Sequence, residues 1–244
     1  NTLSALRFII ILEVGMHQEV VLKVEGLSKS FLGVKALNEA NLEVYKGEVH
    51  AVIGENGAGK STMMNIILGD LSRDSGTIIV KGKETHFSSP ADAIASGISM
   101  IHQEISLIPT LSVAENIWLY REDRFMNGIL INNRKRIQAT KELLDRLEID
   151  IKPEELVSSL TVAQCQLVEL ARSVSCDSDV IIMDEPTSSL SEKEVDILFR
   201  IIRVLKEQGV SIIFISHKIE ELMTISDRIS VYRDGCYIGT RICS

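Results

Sequence analysis

Between Gly54 and Thr62 the chain reads GENGAGKST, which fits the phosphate-loop pattern G-x-x-x-x-G-K-S/T. Such a loop must bring backbone N–H groups close to a polyphosphate, and Gly57 and Gly59 allow conformations that a side chain would forbid. Gly54, Glu55, Asn56, Gly57, Ala58, Gly59, Lys60, Ser61 and Thr62 form the candidate cradle. Lys60 would place a point charge on the β and γ groups, the Ser61 hydroxyl can ligate Mg²⁺, and the positive end of a following helix would face the phosphates. A glycine turn with a chance lysine would be spelled the same way. The predicted strand before the run and helix after it favour the cradle, and with it ATP and Mg²⁺ as ligands.

A second constellation lies downstream, where the apolar run Val180–Met183 is followed by Asp184 and Glu185. This delivers two carboxylates at the carboxyl end of a strand, where ligands of open α/β sheets collect. Asp184 suits contact with Mg²⁺, and Glu185, projecting beyond the strand, could orient or deprotonate an attacking water. The alternative is that the pair only caps a strand end.

These side chains need a frame. Apolar and polar residues largely alternate from Val20 to Glu25 and again around Leu42 to Tyr45, as half-buried antiparallel strands do. From Val49 the sequence HAVI runs into the glycine-rich loop and then into a helix-forming segment, Ser61 to Leu68. Short apolar runs at Ile98–Ile101, Val180–Met183, Val210–Ile215 and Ile229–Tyr232 read as buried strands of a largely parallel sheet. Between Ser112 and Ser175 the pattern turns helical, with Ile137, Leu143, Leu144 and Leu147 on one face. Capping boxes at Thr161/Gln164 and Ser191/Glu194 mark two helix starts, and Asp234-Gly235 reads as a hairpin turn.

Composition limits the function classes. The 244 residues are 45% apolar and 25% charged, values of a folded globular protein. A net charge of −8 argues against a broad nucleic-acid surface, which needs clustered Lys and Arg. The four cysteines form no C-x-x-C pair and have no nearby His to complete a zinc pattern, so free thiols in a reducing compartment are expected. The longest apolar run, Phe8–Leu12, is far shorter than the roughly 20 residues that span a bilayer. Residues 1–15 read as a leader or an appended segment before Met16, leaving 16–244 as the domain, with a helical subdomain at about 104–178.

With these motifs in their order, the chain resembles the ATPase subunit of ABC transporters from about Val20 onward. The resemblance implies a P-loop NTPase core with a mostly parallel sheet, an antiparallel β edge layer and an inserted α-helical subdomain. It also implies roles that residue type alone does not give. Gln103 in IHQE matches the glutamine that senses Mg²⁺ and the γ-phosphate, though a lone Gln there would otherwise be a surface residue. His217 in FISHK matches the switch histidine that hydrogen-bonds the γ-phosphate, though a lone His is usually structural. Phe31 matches the aromatic that stacks on adenine, though an aromatic in a β layer is more often core.

The family signature LSGGQ corresponds to Leu160 followed by Thr161, Val162, Ala163 and Gln164, with both glycines replaced. In the family this loop serves the nucleotide of the opposite half of a head-to-tail dimer, so the two sites of the pair are expected to be unequal. Glu192 also stands where the family usually has Asp. These departures resemble the first ATPase domain of tandem-domain monosaccharide importers. The resemblance therefore implies a second ATP-binding domain, transmembrane permease subunits, indirectly a sugar-binding protein, no nucleic acid, and a place at the cytoplasmic face of the membrane. Two alternatives stay open: a ribosome- or DNA-associated ATPase of the same superfamily, and a domain that binds ATP without turnover when isolated.

Overall fold

The apolar strand runs gather into one sheet because each needs cover on both faces. A computed structural model describes residues 19–102, 105–127 and 130–243. Its strands are β1 (Val20–Phe31), β2 (Val34–Tyr45), β3 (Val49–Gly54), β4 (Ser75–Val80), β5 (Lys83–Thr85), β6 (Ile98–Ile101), β7 (Met126–Asn127), β8 (Leu130–Ile131), β9 (Val180–Asp184), β10 (Ser211–Ile215), β11 (Arg228–Arg233) and β12 (Cys236–Ile242). The α-helices are α1 (Lys60–Ile67), α2 (Pro90–Ala95), α3 (Val113–Ile117), α4 (Asn133–Arg146), α5 (Val162–Val174), α6 (Glu192–Glu207) and α7 (Ile219–Ile225).

The main sheet runs β12-β11-β3-β10-β9-β6, parallel throughout except for β12, which closes one edge as an antiparallel hairpin. Side chains alternate between its faces. Ala51, Ile181, Met183, Ile212 and Phe214 pack into one core with α5, α6 and the helical region. Val52, Val180, Ile182, Ile213 and Ile215 pack into the other, with α1 and a second sheet. That second sheet, β2-β1-β4-β5, is antiparallel. Its first two strands are longer than the alternation predicts, meeting at a turn through Leu32 and Gly33. Gly26, at φ 58°, lies where the pairing shifts register, and the shift breaks the period-two pattern after Glu25. The hairpin at Asp234-Gly235 forms with both residues at positive φ, as a tight primed turn requires.

Between β6 and β9 lie α3, α4 and α5, together with a small ribbon of β7 and β8 in a stretch whose pattern predicts helix. Leu143, Leu144 and Leu147 are buried on one face of α4, as their spacing predicts. Two polar residues are buried beside them. The Thr140 hydroxyl accepts from Trp118 Nε1 at 2.9 Å and donates to the Arg136 carbonyl at 2.8 Å, while Trp118 packs edge-on against Phe125. Arg136 donates to Glu115 and Asn133 at 3.1 and 2.8 Å. Glu115 in turn completes a capping box with Ser112 at the start of α3, a third example of the motif. No helix among the described residues is long and apolar enough to cross a membrane.

Thr140→Val keeps the shape of the side chain but leaves the Trp118 N–H buried without an acceptor. The expected loss is about 1–3 kcal/mol, read as a lower urea midpoint with an unchanged m-value. An unchanged midpoint would mean that this hydrogen bond does not hold the helical region in place.

Candidate functional site

Three glycines of the loop between β3 and α1 are required for different reasons. Gly57, at φ 84°, has nothing within 4 Å of the place a Cβ would take, so only its backbone angle demands glycine. Gly59, at φ 89°, is constrained twice, because a Cβ there would stand 2.5 Å from the Ala36 carbonyl oxygen and 2.7 Å from Leu37 Cδ2. Gly54 has an ordinary φ, yet a Cβ would run into the Tyr232 carbonyl oxygen on β11. The loop is thus clamped between β2 and β11, and it borders a groove of about 290 Å³ lined by Asn56 to Thr62, Phe31 and Ala36.

Gly59 caps α1 without a side-chain hydrogen bond, and no acidic residue occupies the first turn. The orphan N–H groups and positive end of the helix dipole are therefore left for an anion. Lys60 Nζ lies over the loop, donating to the carbonyls of Gly54 at 2.6 Å and Glu55 at 3.1 Å. Ser61 is exposed beside it. Phe31 is 42% exposed, with the Lys29 ammonium 5.6 Å from its ring centroid. It is a wall of the groove, and the core alternative does not apply.

The carboxylates arrive at the ends of β9 and β10. Glu185 adopts φ 49°, a left-handed angle that costs a non-glycine residue about 1–2 kcal/mol. Its N–H donates to the Ile215 carbonyl at 2.9 Å, which fastens the end of β9 to β10. Its Oε1 lies 2.9 Å from His217 Nδ1, and since an ionised carboxylate only accepts, the imidazole donates from that nitrogen. Oε2 is buried with no hydrogen-bond partner among the described residues. Burial, reinforced by the charge of Glu185, pushes the Asp184 carboxyl above the usual carboxylate range, against the pull of Lys60 and His102. A divalent cation would relieve both effects, and the carboxylate and hydroxyl oxygens of Asp184 and Ser61 suit a hard ion such as Mg²⁺. Gln103 lies outside the described residues.

Thr161, Val162, Ala163 and Gln164 stand apart from this cluster. Thr161 caps α5, its N–H donating to Gln164 Oε1 at 2.9 Å and its hydroxyl accepting from the Gln164 N–H at 3.2 Å. Val162 and Ala163 open the helix without positive φ, so the replaced glycines leave no strain in the fold. Thr161, Ala163 and Gln164 line a separate groove of about 140 Å³ with Leu190 and Ile197.

One arrangement was not legible in the sequence. Thr187, fully buried, donates from Oγ1 to Glu221 Oε2 at 2.5 Å. Lys218 Nζ donates to the Thr187 carbonyl at 3.2 Å and to Glu221 Oε1 at 2.9 Å. Gln166 Nε2 donates to Ser189 Oγ at 3.1 Å. The loop after Glu185 is thereby tied both to the segment after His217 and to α5. The arrangement's one local signal is the three-residue spacing of Lys218 and Glu221, which is shared by ordinary surface ion pairs.

A family model described as ABC transporter matches residues 37–188. The galactose/methyl galactoside import ATP-binding protein MglA 1 of Photobacterium profundum is 50% identical over 223 residues, covering 91% of this chain and 45% of that protein. The Agrobacterium fabrum ribose/galactose/methyl galactoside import ATP-binding protein 1, itself provisionally named, is 52% identical over 224 residues, 92% of this chain and 44% of that one. The chain thus spans less than half the length of these relatives. Among solved structures, a nucleotide-free ATP-binding cassette from an ABC transporter superposes with a TM-score of 0.82 at 24% identity over 92% of each chain, which speaks for the fold alone. A cassette described as a dimeric structure gives 0.76 at 24% identity, covering 91% of this chain and 99% of the other.

The glycines make a ranked prediction. Gly57→Ala should cost about 1–2 kcal/mol from its angle alone, and Gly59→Ala about 1–3 kcal/mol more from the collisions with β2. Thermal denaturation of the two variants measures the difference, and equal losses would contradict the clamp.

Proposed function

The chain belongs to the ABC transporter family, and from that premise we propose that it is one ATP-hydrolysing half of a motor that drives monosaccharide import across the cytoplasmic membrane. The observation that carries this reading is the contact of Glu185 with His217, at the ends of adjacent parallel strands and beside the loop of Lys60. In this reading Gly54 to Thr62 hold the triphosphate, with Lys60 exchanging its two loop carbonyls for phosphate oxygens. Phe31 stacks on the adenine. Ser61, Asp184 and Gln103 hold Mg²⁺, which when bound offsets the charge on the phosphoryl oxygens.

Glu185 takes the proton of the attacking water. Its buried Oε2, without a partner among the described residues, supports that role, since an acceptor without a donor is ready for one. His217, 69% exposed at its side chain, is held by Glu185 and turned to the γ-phosphate. Thr161 to Gln164, of which Thr161, Ala163 and Gln164 line the separate groove, serve the nucleotide of a second ATP-binding domain. Without the flexible glycines that service is the weaker one, so the two composite sites differ. The length of the relatives supports a second domain in the same polypeptide. The sugar class comes from their names; permease subunits, a sugar-binding protein and a peripheral place at the cytoplasmic face follow from the importer reading.

In the full-length protein, Glu185→Gln should lower ATP turnover at least about 100-fold while leaving nucleotide affinity intact. Turnover equal to wild type would remove Glu185 as the base. Binding without turnover in the wild type would reduce the domain to an ATP-dependent clamp.

A further inference from the structure

Glu221 on α7 is a largely buried carboxylate, its side chain 15% exposed, to which the mechanism above gives no role. Both of its oxygens are engaged. Oε2 accepts from the Thr187 hydroxyl at 2.5 Å, and Oε1 from Lys218 Nζ at 2.9 Å. The same ammonium donates to the Thr187 carbonyl at 3.2 Å, so Lys218 and Glu221 together grip one residue by its side chain and its backbone. An ordinary surface ion pair contributes little and needs no third residue, whereas this one closes on a fully buried threonine of another loop.

The place of that grip is particular. Thr187 stands two residues after Glu185, joined to it by Pro186, whose ring fixes its own φ. Lys218 follows His217 directly. At the other end of the same two segments the Glu185 N–H donates to the Ile215 carbonyl at 2.9 Å. Residues 185–187 and 215–218 are therefore fastened to each other at both ends, and the 2.9 Å contact of Glu185 Oε1 with His217 Nδ1 is made within that frame. The His217 side chain is 69% exposed, so packing does not hold its ring. Glu185 has a left-handed φ that its own preferences would not keep. The placement of both side chains must come from the backbone segments that carry them.

We propose that Glu221 is a positioning residue for ATP hydrolysis: by gripping Thr187 and Lys218 it keeps Glu185 and His217 in the mutual alignment from which they act on the water and the γ-phosphate. The proposal rests on the roles given to those two residues above. Glu221 makes no hydrogen bond to either among the described residues and acts through the two loops. Loss of such alignment lowers the rate steeply while leaving ground-state binding almost unchanged.

The test measures steady-state ATP turnover in the full-length protein. Thr187→Val keeps the shape of the side chain but removes the hydroxyl, and Glu221→Ala releases both partners. Each should lower kcat about 10-fold with KM for ATP unchanged, and the double variant should fall no further than either single one. Thr187→Ser, which restores the hydroxyl, should recover most of the lost turnover. In a Glu185→Gln background neither change should cost more than about twofold, because the alignment it serves is already without its carboxylate. Should Thr187→Val fold poorly, Glu221→Ala decides the matter. Wild-type kcat in Glu221→Ala, a raised KM, or a loss that multiplies with that of Glu185→Gln overturns the positioning role alone. Wild-type turnover in Glu185→Gln by itself removes the base, and this role with it.

Discussion

The parallel pairing of β10 with both β3 and β9 is the constraint on which the site depends. Ile215 on β10 pairs with Val52 on one side and Asp184 on the other, so three strands finish at one end of the sheet. Each strand end carries a chemically distinct group: the phosphate-type loop after β3, the two carboxylates at the end of β9, the histidine after β10. None of the three is near another in sequence. Parallel strands achieve this because the chain must return to the same end of the sheet before each new strand, which places all the strand-to-helix loops on one side.

Such a sheet exists only if both faces are covered. One face is covered by α5, α6 and the helical region, the other by α1 and the antiparallel layer. The covering layers also shape the site. β2 presses on Gly59 through Ala36 and Leu37, and Ala36 also bounds Gly235 in the turn between β11 and β12. The Asn38 N–H bonds the Gly235 carbonyl at 2.9 Å, locking these pieces together. The same hairpin that clamps the loop carries Phe31 to its rim. Packing and binding geometry are therefore one arrangement.

Of the non-glycine residues at positive φ among the described residues, Glu185 is the one that stands where the chemistry is proposed. Glu185 sits in a left-handed conformation, held by its bond to Ile215, and, two residues on, Thr187 is fastened to Lys218 and Glu221. A side chain on a strained turn cannot drift readily, because the surrounding contacts fix the backbone that carries it.

The sequence by itself determined most of the elements and singled out the side chains to which the proposed function gives a role. Local patterns suffice for these: an apolar run bounded by polar residues is a buried strand, a hydroxyl three residues before Glu or Gln starts a helix, and glycines with Lys60 and Ser61 spell a phosphate loop. The long β1–β2 hairpin was half legible, because the register shift near Gly26 broke the alternation. The ribbon of β7 and β8 was not, being too short to leave a period. Only the tertiary structure decided that Glu185 meets His217, that Gly54 must be glycine because of Tyr232, and that Thr161, Ala163 and Gln164 line a different groove. Each of these is a contact between residues distant in the chain. Such contacts are set by strand order and packing, which short-range patterns do not encode.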